Sequence, residues 1–409
     1  FSLLLLSVLF IRVLPSGAWR PLNSEAPALK ILLLLTASVG LPFFVLSATS
    51  PLVQAWYGTA APGRSPYRLY SLSNAGAMLA LLSYPFLVEP FLGLGTQASL
   101  WGMLYILFAM SLWYAARSFL SAAPAAAAPG DIPAASPRPS AGRIALWTLL
   151  AACGSAILLA GTARLTQNVA SVPFLWILPL SLYLLSFILC FESDRWYARG
   201  RWMVYFVFAC AGVAYLLPGW IGIPLGLQIL IHSLAIFIAC MVCHGELAAL
   251  RPAPQRLTLF YTAVAAGGAL GGLLTALGAP LLLDGPWEYH IAWAALGALA
   301  LVLTAAGFDF RSRRAFFGTA ALLVLYGGLV HALYGDYAAE SAARRETARN
   351  FYGTLQIYEW DHFGSPALTM IHGQIDHGFQ FAEGDPRRNR PVSYYAPDSG
   401  AGLAVRALR

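Results

Sequence analysis

The stretch RNFYGTLQIYEWDHFGSPALTMIHGQIDHGFQFAEGDPRRNRPVSYYAPDSG, residues 349–400, is the first part of the chain with the composition of a soluble protein. Large apolar and polar residues alternate over residues 351–360, which is typical of a half-buried strand. Residues 361–365 form a turn signal, and residues 367–371 and 374–381 have the pattern of two further strands. The stretch therefore predicts a small three-stranded antiparallel sheet with tight turns.

The residues before this stretch have the composition of a membrane protein. Apolar residues make up 59% of the chain and charged residues 11%, whereas about a quarter of a soluble domain is charged. A membrane-spanning helix needs about 20 mostly apolar residues. Eleven segments meet or approach this length: 1–14, 29–48, 68–88, 96–118, 144–163, 173–191, 202–218, 226–247, 258–283, 290–307 and 315–334. The sequence predicts an all-α polytopic membrane helix bundle of about eleven segments in a lipid bilayer, with a small C-terminal antiparallel β element that begins an α/β domain.

A low-complexity segment rich in Ala, Pro and Ser divides the predicted helices into two groups. It covers residues 121–142 and has too few large apolar side chains to form a core, so an extended tether is expected. The predicted domains are membrane helices at 1–120, this linker, membrane helices at 143–334, and an extramembrane region at 335–409.

The basic residues of the loops predict how the helices are oriented. Loops after the second, fourth, sixth, eighth and tenth segments contain 13 arginines, against four basic residues in the opposite loops. The more basic side should be cytoplasmic, which places residues 335–409 on the other side. The net charge of +7 is thus a topology signal, and nucleic acid is not predicted as a partner.

Two short motifs in the apolar part could be mistaken for ligand sites. Residues 240–244, CMVCH, match the c-type haem pattern, but they end an apolar helix, so buried thiols are expected and no haem, metal or disulfide. The glycine-rich residues 267–272 contain two overlapping G-x-x-x-G pairs, which favour close helix packing.

Polar side chains in or beside apolar segments are costly, so they are candidate functional residues. Those noted are Asn74, Glu89, Gln167, Asn168, His232, His244, Glu246, Glu288 and His331. Candidate membrane-site residues are Arg68, Asn74, Gln167, Asn168 and Glu246. Because transporters place polar, interrupted helix starts near their substrates, a transporter-like bundle with a regulatory tail is one alternative, and a structural membrane protein is another.

Several stretches resemble one known family. They are residues 349–353 (RNFYG), 371–373 (IHG), 377–380 (HGFQ), 394–400 (YYAPDSG), and, among the helices, 39–51, 65–90, 173–191 and 243–252. Together they are similar to the membrane-fused spermidine synthase-like proteins of bacteria. The resemblance implies a multi-pass protein of the bacterial cytoplasmic membrane, with a polyamine synthase-like transferase domain of the aminopropyltransferase type.

The resemblance also implies a ligand site in the tail. Soluble aminopropyltransferases have an Asp-Gly, a Gln and a Tyr-His-Glu that bind the amine; the matching candidates here are His372, Asp376, His377, Gln380 and Tyr395. His372 replaces the acid of Asp-Gly, and either Asp376 or Gln380 could match the Gln. Ala396-Pro397 replaces His-Glu and removes charge. The expected ligand is therefore a small amine or nucleoside.

The family would place a strand and a Gly-rich loop for an S-adenosyl-type ligand beyond Arg409. Since Gly400-Ala401-Gly402 follows no apolar strand, it is not that loop. The chain is therefore expected to be a fragment cut at both ends. No cofactor and no transferase activity are expected for residues 1–409 alone.

Overall fold

The structure is a computed structural model, and it describes residues 2–8, 13–20, 26–60, 66–122, 137–168, 174–217, 222–305, 313–373 and 375–408. Within these residues, nine helices are long and apolar enough to cross a membrane, judged by length and composition. They cover Pro27–Gly58, Tyr67–Val88, Leu94–Phe119, Ala141–Thr166, Phe174–Glu192, Leu225–Ala249, Pro254–Leu282, Glu288–Ala305 and Phe316–Ala343. This arrangement suggests a multi-pass membrane protein.

Fourteen α-helices follow one another along the described residues. Their bounds are α1 Ser2–Val8, α2 Pro27–Leu35, α3 Leu41–Ala60, α4 Tyr67–Ser83, α5 Leu94–Ala122, α6 Ala141–Asn168, α7 Phe174–Glu192, α8 Arg199–Leu216, α9 Leu225–Ala249, α10 Leu257–Leu273, α11 Ala279–Leu282, α12 Glu288–Ala305, α13 Arg313–Ala343 and α14 Gly400–Ala407.

Nine of the eleven predicted segments coincide with these nine apolar helices. Segment 202–218 is helical as α8, but it is not among the nine. Within segment 1–14, the described helix is α1. The last segment was predicted to end at residue 334, whereas α13 continues to Ala343. Its last two turns contain Asp336 and Glu340, and these charged residues ended the apolar run on which the prediction relied. The alanines of the same turns favour a helix, and so the helix continues.

Three short π-helical segments lie within the long apolar helices: Thr36–Gly40, Tyr84–Val88 and Leu274–Gly278. The second contains Pro85, and the first and third end two residues before Pro42 and Pro280. A proline ring clashes with the carbonyl four residues earlier and lacks an N–H. A wider turn accommodates both effects, and so the helix continues past each proline.

The chain divides into two compact units. The first unit comprises Phe1–Leu149, Ser181–Ala198 and His244–Gly267. Its interior is rich in aromatic rings: Tyr70 lies 5.1 Å from Phe191 and 4.9 Å from Tyr261 between ring centroids. The polar atoms there bond to one another, as Tyr261 donates to Gln54 Oε1 at 2.6 Å.

The second unit comprises Leu150–Leu180, Arg199–Cys243 and Gly268–Arg409. Glycines allow its helices to approach closely. A Cβ atom on Gly271 would collide with the backbone carbonyl of Ala152, and one on Gly297 would lie 3.0 Å from the ring of Tyr326. The prediction that the glycine-rich residues of α10 serve helix packing is confirmed at Gly271.

The C-terminal sheet has four antiparallel strands in the order β1-β2-β3-β4: β1 Arg344–Asn350, β2 Gly353–His362, β3 Ser365–His372 and β4 Ile375–Phe381. The three predicted strands are present as β2, β3 and β4. The sequence pattern missed β1 because its residues, RRETARN, include no large apolar side chain. Charged edge strands of this kind resist pairing with other chains.

The covered face of the sheet is largely polar. Thr354, Gln356 and Tyr358 of β2 and Thr369 of β3 are buried, whereas Leu355 on the opposite face of β2 is 42% exposed. The alternation of apolar and polar residues identified the two faces of β2. The buried face is directed at Glu340 of α13, which accepts a hydrogen bond from Gln356 Nε2 at 2.8 Å.

Candidate functional site

The sheet is attached to the helices of the second unit by a buried ion pair. Arg349 at the end of β1 donates to both carboxylate oxygens of Glu288, at 2.8 and 3.0 Å, and also to the carbonyl of Gly285. The two side chains are 9% and 11% exposed. Glu288 is the first residue of α12, where a carboxylate also favours the positive end of the helix dipole.

Two further contacts strengthen this attachment. Arg344 of β1 pairs with Asp284, which precedes α12, at 2.8 Å. Tyr358 of β2 donates to Glu340 of α13 at 3.5 Å. Burial, and then the charge of Glu340, raise the pKa of Tyr358 to about 12. The sheet is therefore held to the start of α12 and the end of α13 by groups from two strands.

One end of the sheet brings together the predicted ligand residues of the β3–β4 turn. The rings of His372 and His377 lie 6.0 Å apart between centroids. Asp376 lies between them in sequence, and its carboxylate accepts the backbone N–H of Gly378 at 2.6 Å. Among the described residues, no group of three or more His, Cys, Asp and Glu side chains is placed to hold a metal ion.

Two neighbouring segments extend this turn. The hydroxyl of Tyr394 donates to the carbonyl of Asp376. Gly353 lies against the ring of His372, where any Cβ would collide with Nε2, and its φ of +149° also favours glycine. The four tail stretches that carry the family resemblance, at 349–353, 371–373, 377–380 and 394–400, therefore meet at this end of the sheet.

Two of the predicted tail residues lie apart from that turn. Gln380 is paired with Leu368 in the ladder, and its side-chain amide donates to the carbonyl of Arg388 at 3.3 Å. Tyr395 is 67% exposed, and its ring lies 5.8 Å from that of Tyr394. The structure thus groups His372, Asp376 and His377, with Tyr395 adjacent through Tyr394 and Gln380 further along β4.

Arg68, one of the predicted membrane-site residues, lines a cavity. In the first unit, a polar cavity of about 580 Å³ is lined by Tyr57, Arg68, Phe191, Glu192, Ser193, Asp194 and Arg251. Arg251 pairs with Asp194 at 3.0 Å, and its guanidinium lies 5.3 Å from the ring centre of Tyr67. Asn74 instead donates to the carbonyl of Tyr70 within its own helix.

Glu246 is fully buried in the first unit, where Tyr197 donates to it at 2.7 Å. Nearby in sequence, His244 Nδ1 lies 2.7 Å from the hydroxyl of Ser186, and the imidazole stacks on Phe187 with centroids 3.5 Å apart. Ser186 and His244 are both fully buried, so this pair has no solvent access and serves packing. The side chains of Gln167 and Asn168, at the end of α6, lie outside the described residues.

The cysteines of the C-x-x-C-H motif are also enclosed. Cys240 and Cys243 have no exposed surface. The sequence drew attention to this motif, whereas it did not indicate the pairing of Arg349 with Glu288. Glu288 was noted as a polar residue beside an apolar segment, but nothing in the sequence identified a partner 61 positions later.

Comparisons with known proteins add no relative. No family model, no curated protein and no solved structure matches the chain.

Proposed function

We propose that this chain is a multi-pass protein of the bacterial cytoplasmic membrane whose helices carry a spermidine synthase-like ligand-binding element. The observation that carries the proposal is the meeting of four separate tail stretches at one end of the sheet. His372, His377 and Tyr394 come from stretches that resemble one family in sequence. In the structure, the rings of His372 and His377 lie 6.0 Å apart, and Tyr394 donates to the carbonyl of Asp376, the residue before His377.

The proposed ligand is a small amine or nucleoside, bound at the turn between β3 and β4. The carboxylate of Asp376 would hold a cationic amine, and the paired rings of His372 and His377 offer flat surfaces and ring nitrogens. The exposed ring of Tyr394 is tied to the turn through the carbonyl of Asp376, and the ring of Tyr395 lies next to that of Tyr394. Such a mixture of aromatic surface and a few polar groups is typical of small-molecule sites.

The helices would act as a rigid base for this element. Arg349, which pairs with Glu288, is the first residue of the 349–353 stretch. The same stretch that contributes to the site therefore also fixes the sheet to α12. An S-adenosyl-type ligand and aminopropyl transfer enter this proposal only as what the family resemblance implies.

Transport is the weaker alternative. A transport path requires polar groups that are free to bind a substrate. In the described part of the first unit, the buried polar side chains of Gln54, Ser186 and Glu246 are instead bonded to Tyr261, His244 and Tyr197.

The natural full-length protein in lipid nanodiscs provides the test. Spermidine, putrescine and 5′-methylthioadenosine should be titrated separately by calorimetry. Saturable binding of an amine or of the nucleoside is the expected result. A protein that binds none of the three would refute the proposed function.

A further inference from the structure

We propose that the first unit contains a second site, specific for a phosphate group, at the N-terminus of α6. This site is a cavity of about 290 Å³. Its polar lining comes from Arg138, Ser140, Arg143 and Arg256, and its remaining lining residues are Pro137, Pro139, Trp147, Leu250, Pro252 and Ala253. The site is independent of the ligand-binding turn in the tail.

The side chains that line the cavity carry positive charge. Three arginines line the cavity, and none of its described lining residues is acidic. The acidic residues among the described positions of this unit are Glu89, Glu192, Asp194 and Glu246. Asp194 pairs with Arg251, and Glu246 accepts from Tyr197. The positive charge of these arginines would attract an anion into the cavity.

The backbone adds to this positive field. The cavity lies beside the first turn of α6, a helix of 28 residues, where N–H groups at the start of a helix attract anions. The carbonyl of Ser140 already accepts from the N–H groups of Arg143 and Ile144, at 3.0 and 3.1 Å. The N–H groups of Ala141 and Gly142 belong to the same turn and are the next donors available to a bound anion.

The cavity is held in shape from both sides. Trp147, which is 1% exposed, donates from Nε1 to the carbonyl of Leu250 at 3.2 Å. Its indole ring lies edge-on to Phe260, with centroids 5.1 Å apart. The hydroxyl of Tyr67 donates to the carbonyl of Pro252. These contacts fix the 250–253 loop against the start of α6, so the cavity exists without a ligand.

A phosphate fits this chemistry better than a carboxylate. Guanidinium groups bind phosphate oxygens in pairs, and several can share one phosphate. The phosphate can come from the headgroup of an anionic lipid or from a soluble phosphate ester. Both sources present the same group, and the following experiment separates them.

The experiment uses the whole chain in two forms. In detergent, the chain is titrated with sn-glycerol 3-phosphate and followed by tryptophan fluorescence. In nanodiscs of mixed phosphatidylglycerol and phosphatidylcholine, lipids retained on release are counted by native mass spectrometry. The double variant Arg138→Gln/Arg143→Gln removes two exposed cations, and its melting curve verifies the fold. Arg195→Gln is the matched control, because Arg195 belongs to the same unit but lies outside the cavity.

Binding should be about tenfold or more weaker in the double variant and unchanged in the Arg195 variant. Retention of phosphatidylglycerol alone would identify a lipid headgroup, and binding of glycerol 3-phosphate would identify a soluble ester; either supports the site. An absence of binding in both forms, or equal binding by the chain and its double variant, would overturn the inference.

Discussion

Arg349 and Glu288, 61 residues apart, form a two-pronged ion pair at 2.8 and 3.0 Å in which both side chains are about nine-tenths buried. Arg349 ends the first strand of the sheet, and Glu288 begins α12. A buried charge of either sign is costly unless its partner is present. This pair therefore makes the position of the sheet on α12 depend on two specific residues.

Replacing Glu288 with glutamine should loosen β1. It leaves the charge of Arg349 buried without its counter-charge, which costs about 3–5 kcal/mol. Trypsin should then cleave within β1, at Arg344, Arg345 or Arg349, at least about tenfold faster. Glu359→Gln is the control, since Glu359 pairs with the 63% exposed Arg345 and such pairs contribute about 0–1 kcal/mol. Equal cleavage of the two variants would show that the ion pair does not hold the sheet.

Two glycines of α10 should respond in opposite ways to the same change. Gly271→Ala places a methyl group into the carbonyl of Ala152, and overpacking of this kind costs about 1–3 kcal/mol. Gly268→Ala meets no atom within 4 Å, and alanine stabilises a helix relative to glycine by up to about 1 kcal/mol. Thermal unfolding in detergent should show a lower Tm for the first and an equal or higher Tm for the second. A lower Tm for both would contradict the packing.

Tyr358 should make the sheet sensitive to alkali. Burial raises its pKa from 10.0 to about 12 in the folded chain, so the folded state keeps the phenol proton at a pH where the unfolded chain has lost it. Its contribution to stability is complete below pH 10 and is lost as the pH rises from 10 to about 12. Tyr358→Phe should remove this part of the pH dependence, as measured by unfolding at pH 9, 10 and 11. An identical slope in the variant would rule out Tyr358 as the source.

The orientation in the membrane can be tested by cysteine labelling from outside the cell. The count of 13 basic residues against four places Arg199 and Arg313 on the cytoplasmic side, so Arg199→Cys and Arg313→Cys should remain unlabelled. Glu383→Cys tests the tail, because the side chain of Glu383 is 89% exposed. That residue should be labelled if the charge count holds. The family resemblance predicts the opposite for the tail, since an S-adenosyl ligand is cytosolic. Labelling of both loop positions would invert the topology.

The helices and most of the sheet could be predicted from the sequence because their signals are local. Apolar runs of about 20 residues and period-two alternation each depend on neighbouring residues. β1 had no such signal, since RRETARN includes no large apolar side chain. The strand is stabilised by ion pairs with Asp284, Glu288 and Glu359 from elsewhere in the chain. The polar buried face of β2 was missed for the same reason, because its partner Glu340 belongs to a helix.

The candidate sites were predictable only in part. The resemblance identified His372 and His377, and the structure places their rings 6.0 Å apart. The resemblance grouped Gln380 with these histidines, whereas in the structure the side-chain amide of Gln380 donates to the carbonyl of Arg388. The cavity proposed to bind phosphate had no sequence signature. Arg138 and Arg143 are far from Arg256 along the chain, and Arg138 lies in the segment predicted to be a linker.

The most direct test of the proposed function is the affinity of the full-length protein for a small amine or nucleoside before and after His377→Ala. Glu383→Gln is the control, since its exposed carboxylate pairs with Arg388 at 3.1 Å. His377 is half-buried beside His372 at the turn, so a melting curve of His377→Ala verifies that the sheet remains folded. Calorimetric titration with spermidine and 5′-methylthioadenosine should show binding that weakens about tenfold or more in His377→Ala and is unchanged in Glu383→Gln. Binding of equal strength in all three proteins would contradict the account.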